Sequence, residues 1–468
     1  MLFNSLTFLV FFIIVFTLHR LIPGWRRKKL LLLMASYFFY AAWNPPYVFI
    51  LLFSTTLDWW LARLIWQNRS ERTRRWLLVL SLISNLSLLG FFKYGNFLLD
   101  NFTLAAGVFG LDYTPPALDI VLPIGISFYT FASLSYTIDV YRREIEADAD
   151  YLDYALFVSF FPHLVAGPIV RARQLLPQIR TPRTASRDQL GWGLTLVVIG
   201  LFTKTVMADS VFAPVVDAAY TNPRLGALES WAAVLGFAGQ IYCDFAGYSL
   251  CAIGLALCFG FEFPDNFRYP YAARGFSDFW RRWHITLSTW LRDYLYVPLG
   301  GNRRGEARTY VNLMLTMLIG GLWHGASWMF VLWGGLHGSY LALERRLRGE
   351  GRNTMLSPLG DWALTMFTFL VVTLTWIPFR AHDARSAATV FAGLWRGSAP
   401  AQDIRNLVAC YAGATLLLSW QFLNRDGSLE ERFSRLGTAT QAAAVGACLV
   451  GVFLCSGGDE RAFIYFQF

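Results

Sequence analysis

The fold is decided by two stretches, FSDFWRRWHITLSTWLRDYLYVPLGGNRRG at residues 276–305 and LMLTMLIGGLWHGASWMFVLWGGLHG at residues 313–338. The first stretch is amphipathic and carries too many charges to cross a bilayer, which predicts helix at the membrane interface or angled into a funnel. The second is almost entirely apolar. Each contains a histidine, His284 or His324, and ionisable side chains at membrane depth are costly enough to mark functional sites. We predict that the remaining chain brings these histidines together.

The composition is typical of a polytopic membrane protein. Of the 468 residues, 55% are hydrophobic and only 15% are charged, whereas roughly a quarter of the residues of a soluble domain are charged. Apolar runs long enough to cross the hydrocarbon core recur from end to end. We therefore predict an all-α fold that forms one integral-membrane domain, residues 1–468, with about 11 transmembrane helices and additional re-entrant and interfacial helices.

The positive charge points to membrane topology. The net charge is +9, but the basic residues cluster in short loops between apolar runs, as cytoplasmic loops do. This distribution predicts membrane lipids as partners and no nucleic-acid partner. The six cysteines lie mostly within apolar segments and lack CxxC spacing, so neither a metal site nor a disulfide framework is predicted.

Two apolar segments have basic residues at both of their ends, which predicts that both ends lie on the cytoplasmic side and that each segment is a broken helix or a hairpin. Residues 311–343 begin and end beside arginines, which predicts a hairpin or broken helix with flexible points at Gly320, Gly321 and Gly325 and with His324 deep in the membrane. If the helix were unbroken, His337 would face away from His324, so we interpret it as a packing or tunnel residue. Residues 152–170 also lie between basic segments, and their prolines and glycines predict a re-entrant segment.

Polar side chains inside other apolar runs allow two interpretations each. Asp58 is either a relay group or a carboxyl group paired with another polar side chain of the bundle. The sequence QIYCDFAGYS at residues 240–249 carries several polar groups. These groups line a hydrophilic tunnel or form hydrogen bonds between packed helices.

Seven motifs together resemble the membrane-bound O-acyltransferase family, specifically its bacterial alginate O-acetylase branch. The motifs are LPIGISFYTFASLSYTIDVYR (122–142), FFPHLVAGPIVR (160–171), QIYCDFAGYS (240–249), FWRRWH (279–284), LRDYLYVPLGGNRRG (291–305), GGLWHGASW (320–328) and FIYFQF (463–468). The resemblance implies a ring of tilted helices around a central tunnel, with His324 as the core histidine and His284 as the second family histidine.

The resemblance also implies an activity and partners. The family transfers an acyl group from a cytoplasmic thioester, usually acyl-CoA, to a hydroxyl group. In this branch, acetyl groups pass towards an exopolysaccharide acceptor outside the bacterial inner membrane, commonly with a periplasmic partner that resembles acetyltransferases or esterases. We therefore expect a multi-pass protein of the bacterial inner membrane.

Acyl transfer to a hydroxyl group requires a base, and the unperturbed pKa of imidazole lies near neutrality. We hypothesise that His324 is the general base, and that His284 positions the acceptor or donor or holds the thioester carbonyl. Arg281, Arg282, Arg303 and Arg304 are candidates to attract the phosphates of acetyl-CoA, the expected donor substrate. No permanently bound cofactor is expected.

Two other functions compete with acetyl transfer. One is transfer of D-alanine or another acyl group from a carrier protein to a cell-envelope polymer, as in the teichoic-acid branch of the same family. The other belongs to a different class, a transporter or lipid flippase. Transporters often carry inverted repeats and paired broken helices, and the sequence has no recognisable repeat of this kind.

Overall fold

The computed structural model describes residues 1–111, 113, 115, 116, 118, 120–348, 357–397, 403–456, 461, 463 and 464. Within these residues the chain is helical without β-strands, which confirms the predicted all-α class. The first ten helices are α1 (Leu6–Leu21), α2 (Trp25–Ala41), α3 (Tyr47–Gln67), α4 (Glu71–Val108), α5 (Ile126–Tyr141), α6 (Tyr151–Ser159), α7 (Phe161–Leu164), α8 (Ala172–Arg180), α9 (Arg187–Phe202) and α10 (Ala213–Thr221).

The second set begins with the long helix α11. It comprises α11 (Ala227–Cys258), α12 (Phe276–Arg282), α13 (Ile285–Leu291), α14 (Glu306–His324), α15 (Trp328–Arg348), α16 (Pro358–Arg380), α17 (Ala384–Gly393), α18 (Ile404–Asn424), α19 (Leu429–Ser434) and α20 (Thr438–Cys455). Two π-helical segments, Thr203–Phe212 and Arg292–Tyr296, and a 3-10 turn, Pro270–Ala272, interrupt the α-helices.

Several helices are suited to crossing a membrane. Within the described residues, seven helical stretches are long and apolar enough to do so: Tyr47–Gln67, Glu71–Val108, Arg187–Thr221, Ala227–Cys258, Pro358–Arg380, Ile404–Asn424 and Thr438–Cys455. Most large side chains on α20 face outward, as expected for a helix against lipid. The predicted number of about 11 spans is not confirmed.

The chain divides into two compact units. One consists of Met1–Leu194 and Ala252–Pro264, and the other of Thr195–Cys251 and Asp265–Phe468. Each unit is built from two separate parts of the sequence, so a cut at a single linker would not separate them. The prediction of a single integral domain stays a prediction.

The first unit buries a polar cluster between α3 and α4. The fully buried carboxylate of Asp58 accepts hydrogen bonds from Ser81 Oγ at 2.6 Å and from Asn85 Nδ2 at 2.8 Å. Buried polar groups are costly unless they are hydrogen-bonded, and these bonds satisfy both carboxylate oxygens. Of the two interpretations of Asp58, the structure therefore favours pairing within the bundle.

The predicted break within residues 152–170 is also present in the first unit. Helix α6 ends at Ser159, α7 is a single turn with Pro162 near its start, and the chain then runs through Gly167 at φ 114°. A side chain is strained at that φ, and a Cβ atom at Gly167 would lie 2.9 Å from Ala252 Cβ. Residues 153–172 are all buried, which is the condition under which irregular backbone is tolerated at membrane depth.

In the second unit, α14 and α15 form the predicted hairpin. Helix α14 ends at His324, and the next residue, Gly325, is extended. A Cβ atom at Gly321 would lie 2.3 Å from the carbonyl oxygen of Phe330, and one at Gly334 would lie 2.3 Å from that of Met317. The two backbones therefore touch, as membrane helices do where small residues meet.

The break occurs at Gly325 and not at the other two predicted flexible points. Gly320 and Gly321 lie inside α14, and Gly321 allows the backbone of α15 to pack closely against α14. The premise of an unbroken helix carrying both His324 and His337 is likewise wrong, because the chain reverses between them.

Helix α11 also packs through its polar residues in the second unit. Lys204, in the π-helical segment Thr203–Phe212, lies 2.5 Å from Asp244 Oδ1 and 2.8 Å from Asp209 Oδ1. Ser249 Oγ accepts a hydrogen bond of 3.1 Å from Asn266 Nδ2. For Asp244 and Ser249, hydrogen bonding to packed neighbours is thus the interpretation that the structure supports.

The close contact between α14 and α15 at Gly334 predicts different effects for alanine at two neighbouring glycines. Gly334→Ala should lower the thermal midpoint of the purified protein, because overpacking a tight contact costs about 1–3 kcal/mol. Gly335→Ala is the matched control, since its Cβ atom would meet Leu318 Cδ2 at an ordinary 3.6 Å and alanine favours helix. Thermal unfolding in detergent or nanodiscs measures both, and equal midpoints for the two variants would contradict the contact.

Candidate active site

His324 lies at the end of α14 in an aromatic enclosure. Its ring centroid is 5.0 Å from that of Trp323, 5.1 Å from that of Trp333 and 5.2 Å from that of Phe379. Only 2% of its surface is exposed. The hairpin supplies two of the three aromatic rings, so the close packing of α14 against α15 positions this imidazole.

His284 lies in the link between α12 and α13 and is fully buried. Its backbone is left-handed, with φ 41° and ψ 54°, a region that costs a residue with a side chain about 1–2 kcal/mol. Its Nδ1 atom is 3.1 Å from Asn266 Oδ1, and its ring centroid is 4.6 Å from that of Phe245, with the two rings nearly perpendicular. Strained backbone of this kind clusters at functional sites.

Burial lowers the pKa of the His284 imidazole, which lies outside the candidate spans. Taking an imidazolium out of water is costly, and the hydrogen-bond partner of Nδ1 is a neutral amide. His284 is therefore neutral near physiological pH. Within the described part of the chain, its Nε2 atom is buried and has no hydrogen-bond partner.

A single indole ring separates the two predicted site histidines. The ring centroid of Trp323 is 5.8 Å from that of His284 and 5.0 Å from that of His324. The structure thus brings together the two histidines that the sequence singles out, although they are 40 positions apart in the sequence. Trp323 belongs to the quoted motif GGLWHGASW, but the sequence did not identify its position between the two imidazoles.

A third histidine adjoins the same cluster. His337 in α15 lies 4.7 Å from Trp333, the tryptophan that also contacts His324. Thr375 donates its hydroxyl proton to the carbonyl of Val372 at 2.6 Å and accepts a hydrogen bond from His337 Nε2 at 3.0 Å. His337 is therefore a buried, hydrogen-bonded neighbour of the site.

The four arginines predicted to attract phosphates differ in their surroundings. Arg281, Arg303 and Arg304 are exposed. Arg282 is half-buried, and its guanidinium donates to Asp278 Oδ1 at 2.9 Å and to the carbonyl of Arg425 at 2.9 Å. Because part of its hydrogen-bonding capacity is used within the protein, Arg282 is the weakest of the four candidates.

The loop that carries Arg303 and Arg304 is held in one shape by its glycines and by α14. Gly300 and Gly305 have φ angles of 118° and 83°, which glycine adopts without strain. Asn312 in α14 donates a hydrogen bond of 2.9 Å to the carbonyl of Gly301. The loop therefore presents its arginines from a fixed base at the start of the hairpin.

The described residues contain no group of three or more His, Cys, Asp or Glu side chains that could hold a metal ion. The residues around the two histidines present imidazole, hydroxyl, amide and indole groups. These groups can accept or donate a proton or a hydrogen bond to a bound hydroxyl or carbonyl group.

Comparison with known proteins decides the family. Residues 8–349 match the model of the membrane-bound O-acyltransferase family. The chain belongs to the membrane-bound O-acyltransferase family. This family match and the apolar helices make it a multi-pass membrane protein and an enzyme of the acyltransferase class.

Three relatives of this membrane-bound O-acyltransferase carry related names. A probable alginate O-acetylase of Pseudomonas putida is 38% identical over 100% of both chains. A probable alginate O-acetylase of Azotobacter vinelandii is 43% identical over 75% of this chain and 70% of its own. The peptidoglycan O-acetyltransferase of Helicobacter pylori is 39% identical over 75% of this chain and 71% of its own.

The sequence did not identify two features of the site. Asn266 lies in an irregular link, where no periodicity relates it to a histidine 18 positions later. Trp333 was part of a quoted apolar motif, but its contacts with both His324 and His337 depend on the reversal of the chain at Gly325. The only sequence signal for Asn266 is a polar residue in a stretch rich in aromatics.

The left-handed backbone of His284 allows its side chain to be tested apart from its conformation. Asparagine tolerates this region well, so His284→Asn should keep the thermal midpoint of the wild type and lose at least tenfold in acyl-transfer rate. His284→Val should lower the midpoint, because β-branched residues are outliers there. Thermal unfolding and a transfer assay on the same preparations test both, and full activity in His284→Asn would exclude a role for the imidazole.

Proposed function

We propose that this membrane-bound O-acyltransferase moves an acetyl group from a cytoplasmic thioester, acetyl-CoA, across the bacterial inner membrane towards hydroxyl groups of an exopolysaccharide such as alginate. The observation that carries the proposal is the pair of buried histidines on either side of Trp323, in a chain whose relatives are named for O-acetyl transfer to alginate and peptidoglycan.

The reaction needs one proton acceptor. The hydroxyl oxygen attacks the thioester carbonyl carbon, the new ester C–O bond forms and the C–S bond breaks. His324 acts as the general base that takes the hydroxyl proton, and the resulting imidazolium returns it to the departing thiolate. Imidazole suits both steps, because its unperturbed pKa lies near neutrality and it can therefore accept and return a proton.

The donor approaches on the side of the basic loops. Arg281, Arg303 and Arg304 are exposed and can meet the phosphates of CoA, and arginine binds phosphate through its planar fork of donors. Arg282 contributes mainly by holding α12 to Asp278 and to the carbonyl of Arg425. The acetyl group then has to reach His324 along the hairpin whose start carries this loop.

The proposed transfer involves lipid, protein and polysaccharide partners. Membrane lipids surround the exposed apolar faces of the spans, a periplasmic acetyltransferase or esterase-like protein completes the transfer, and the polysaccharide is the final acceptor. D-alanyl transfer from a carrier protein remains the alternative within the family, and a donor panel separates the two. A transporter or flippase has less support, because the relatives are named as transferases.

Removal of the proposed base gives the central prediction. His324→Ala should reduce acetyl transfer by roughly two to four orders of magnitude, which is about what general-base catalysis supplies. The measurement is transfer from labelled acetyl-CoA by membranes that contain the protein, together with mass spectrometry of the host polysaccharide.

His382→Ala is the matched control for this experiment, because His382 is an exposed histidine outside the site. It should retain the wild-type rate. Wild-type acetylation in cells that carry only the His324→Ala protein would refute the assignment. Transfer from an aminoacyl carrier protein, but not from acetyl-CoA, would favour the alternative.

Charge reversal tests the donor side. The double variant Arg303→Glu, Arg304→Glu should raise the KM for acetyl-CoA at least tenfold and leave kcat less affected, because the loop attracts the phosphates before the chemical step. Arg72→Glu with Arg75→Glu makes the same change of charge at exposed positions of α4. Equal KM values in the two double variants would show that net charge, and not the loop, governs donor binding.

A further inference from the structure

Asn266 connects three segments around His284. It lies between α11 and the 3-10 turn and is 1% exposed. Its carbonyl accepts a hydrogen bond of 2.9 Å from the backbone N–H of Ile285, and its side-chain Nδ2 donates to Ser249 Oγ at 3.1 Å. Backbone and side chain of one asparagine thus fix the link that carries His284.

The orientation of the Asn266 amide follows from its other neighbours. Its Oδ1 atom lies 2.8 Å from Thr286 Oγ1 and 3.4 Å from the backbone nitrogen of Thr286. A backbone N–H can only donate, so the atom that faces it is the carbonyl oxygen. With the amide turned the other way, two donors would oppose each other.

This orientation fixes the proton on His284. The same Oδ1 atom is 3.1 Å from His284 Nδ1, and an amide oxygen can only accept. Nδ1 must therefore carry the hydrogen. A neutral imidazole has one N–H group, so the lone pair is on Nε2, the buried atom that has no hydrogen-bond partner within the described residues.

We propose that Asn266 is a positioning residue that holds His284 in the Nδ1–H tautomer, so that His284 Nε2 accepts a hydrogen bond from the hydroxyl group of the acyl acceptor. The inference rests on the proposed function and deepens it. A thioester carbonyl is itself only an acceptor, so a histidine with its lone pair on Nε2 cannot hold it. Of the roles open to His284, orientation of the hydroxyl group is the one that the geometry supports.

The tautomer can be measured without any activity. The full-length protein, labelled with ¹⁵N-histidine and placed in nanodiscs, has six histidines, and the His284 signals are those that disappear in His284→Asn. The wild type should show Nδ1 protonated and Nε2 unprotonated at neutral pH. Asn266→Leu should lose this preference, whereas Asn266→Asp and Ser249→Ala, which keep the accepting oxygen, should retain it.

The kinetic effects distinguish positioning from a structural role. Asn266→Leu should lower kcat at least tenfold with little change in the KM for acetyl-CoA, since losing the partner that orients a functional histidine costs about ten- to a hundredfold in metal sites and more in hydrolases. Asn266→Asp should recover most of that loss. Its carboxylate should raise the pKa of His284 and move the acidic limb of the rate profile to higher pH.

Each outcome bears on a separate claim. A wild-type protein that acetylates its acceptor while His284 carries its proton on Nε2 would overturn this inference alone, and so would an Asn266→Leu variant with unchanged tautomer and rate. If Asn266→Leu does not fold, the inference is decided by the wild-type tautomer and by the pH profile of Asn266→Asp, and an unshifted profile would overturn it. A wild-type protein that transfers no acetyl group from acetyl-CoA would overturn the proposed function and leave the tautomer result standing.

Discussion

The close contact between α14 and α15 determines the geometry of the site. In a membrane, helices gain little from burying apolar surface against each other, because lipid is equally apolar, so close packing through small residues has to hold them. Gly321 and Gly334 allow the two backbones to touch. Their contact sets the distance between Trp333 and the end of α14, and through it the enclosure of His324. The catalytic proposal thus depends on two residues that have no side chain.

The two histidines are held in place by different means. His324 ends a regular helix, and rings from the hairpin and α16 surround it. His284 is held outside regular helix by a left-handed backbone and by a neutral amide. A carboxylate in place of Asn266 would raise the pKa of His284 and bring the imidazolium, which has no lone pair to offer, closer to the working pH range. The choice of an amide keeps His284 an acceptor of hydrogen bonds in the neutral form.

The sequence predicted what depends on charge and hydropathy, and it missed what depends on irregular backbone. Arginines on both sides of residues 311–343 predicted the hairpin that α14 and α15 form. The role of Asn266 could not be predicted, because it depends on contact between two irregular links. One link carries Asn266, and the other carries His284, 18 positions later. The pairing of Arg282 with Asp278 could have been recognised from their i, i+4 spacing in α12. The π-helical segment Thr203–Phe212 has no comparable signal.

Helix α11 connects the buried charges to the site. Asp244 faces Lys204 and accepts a hydrogen bond of 2.7 Å from the backbone N–H of Ile464. The next residue, Phe245, lies about 100° further around the helix and places its ring against His284 and, at 5.4 Å, against Phe463. Breaking a buried ion pair is strongly destabilising, so the pair favours one rotation of α11 about its axis. That rotation directs Phe245 to His284, and hence a salt bridge that contacts neither histidine ring constrains where the second imidazole lies.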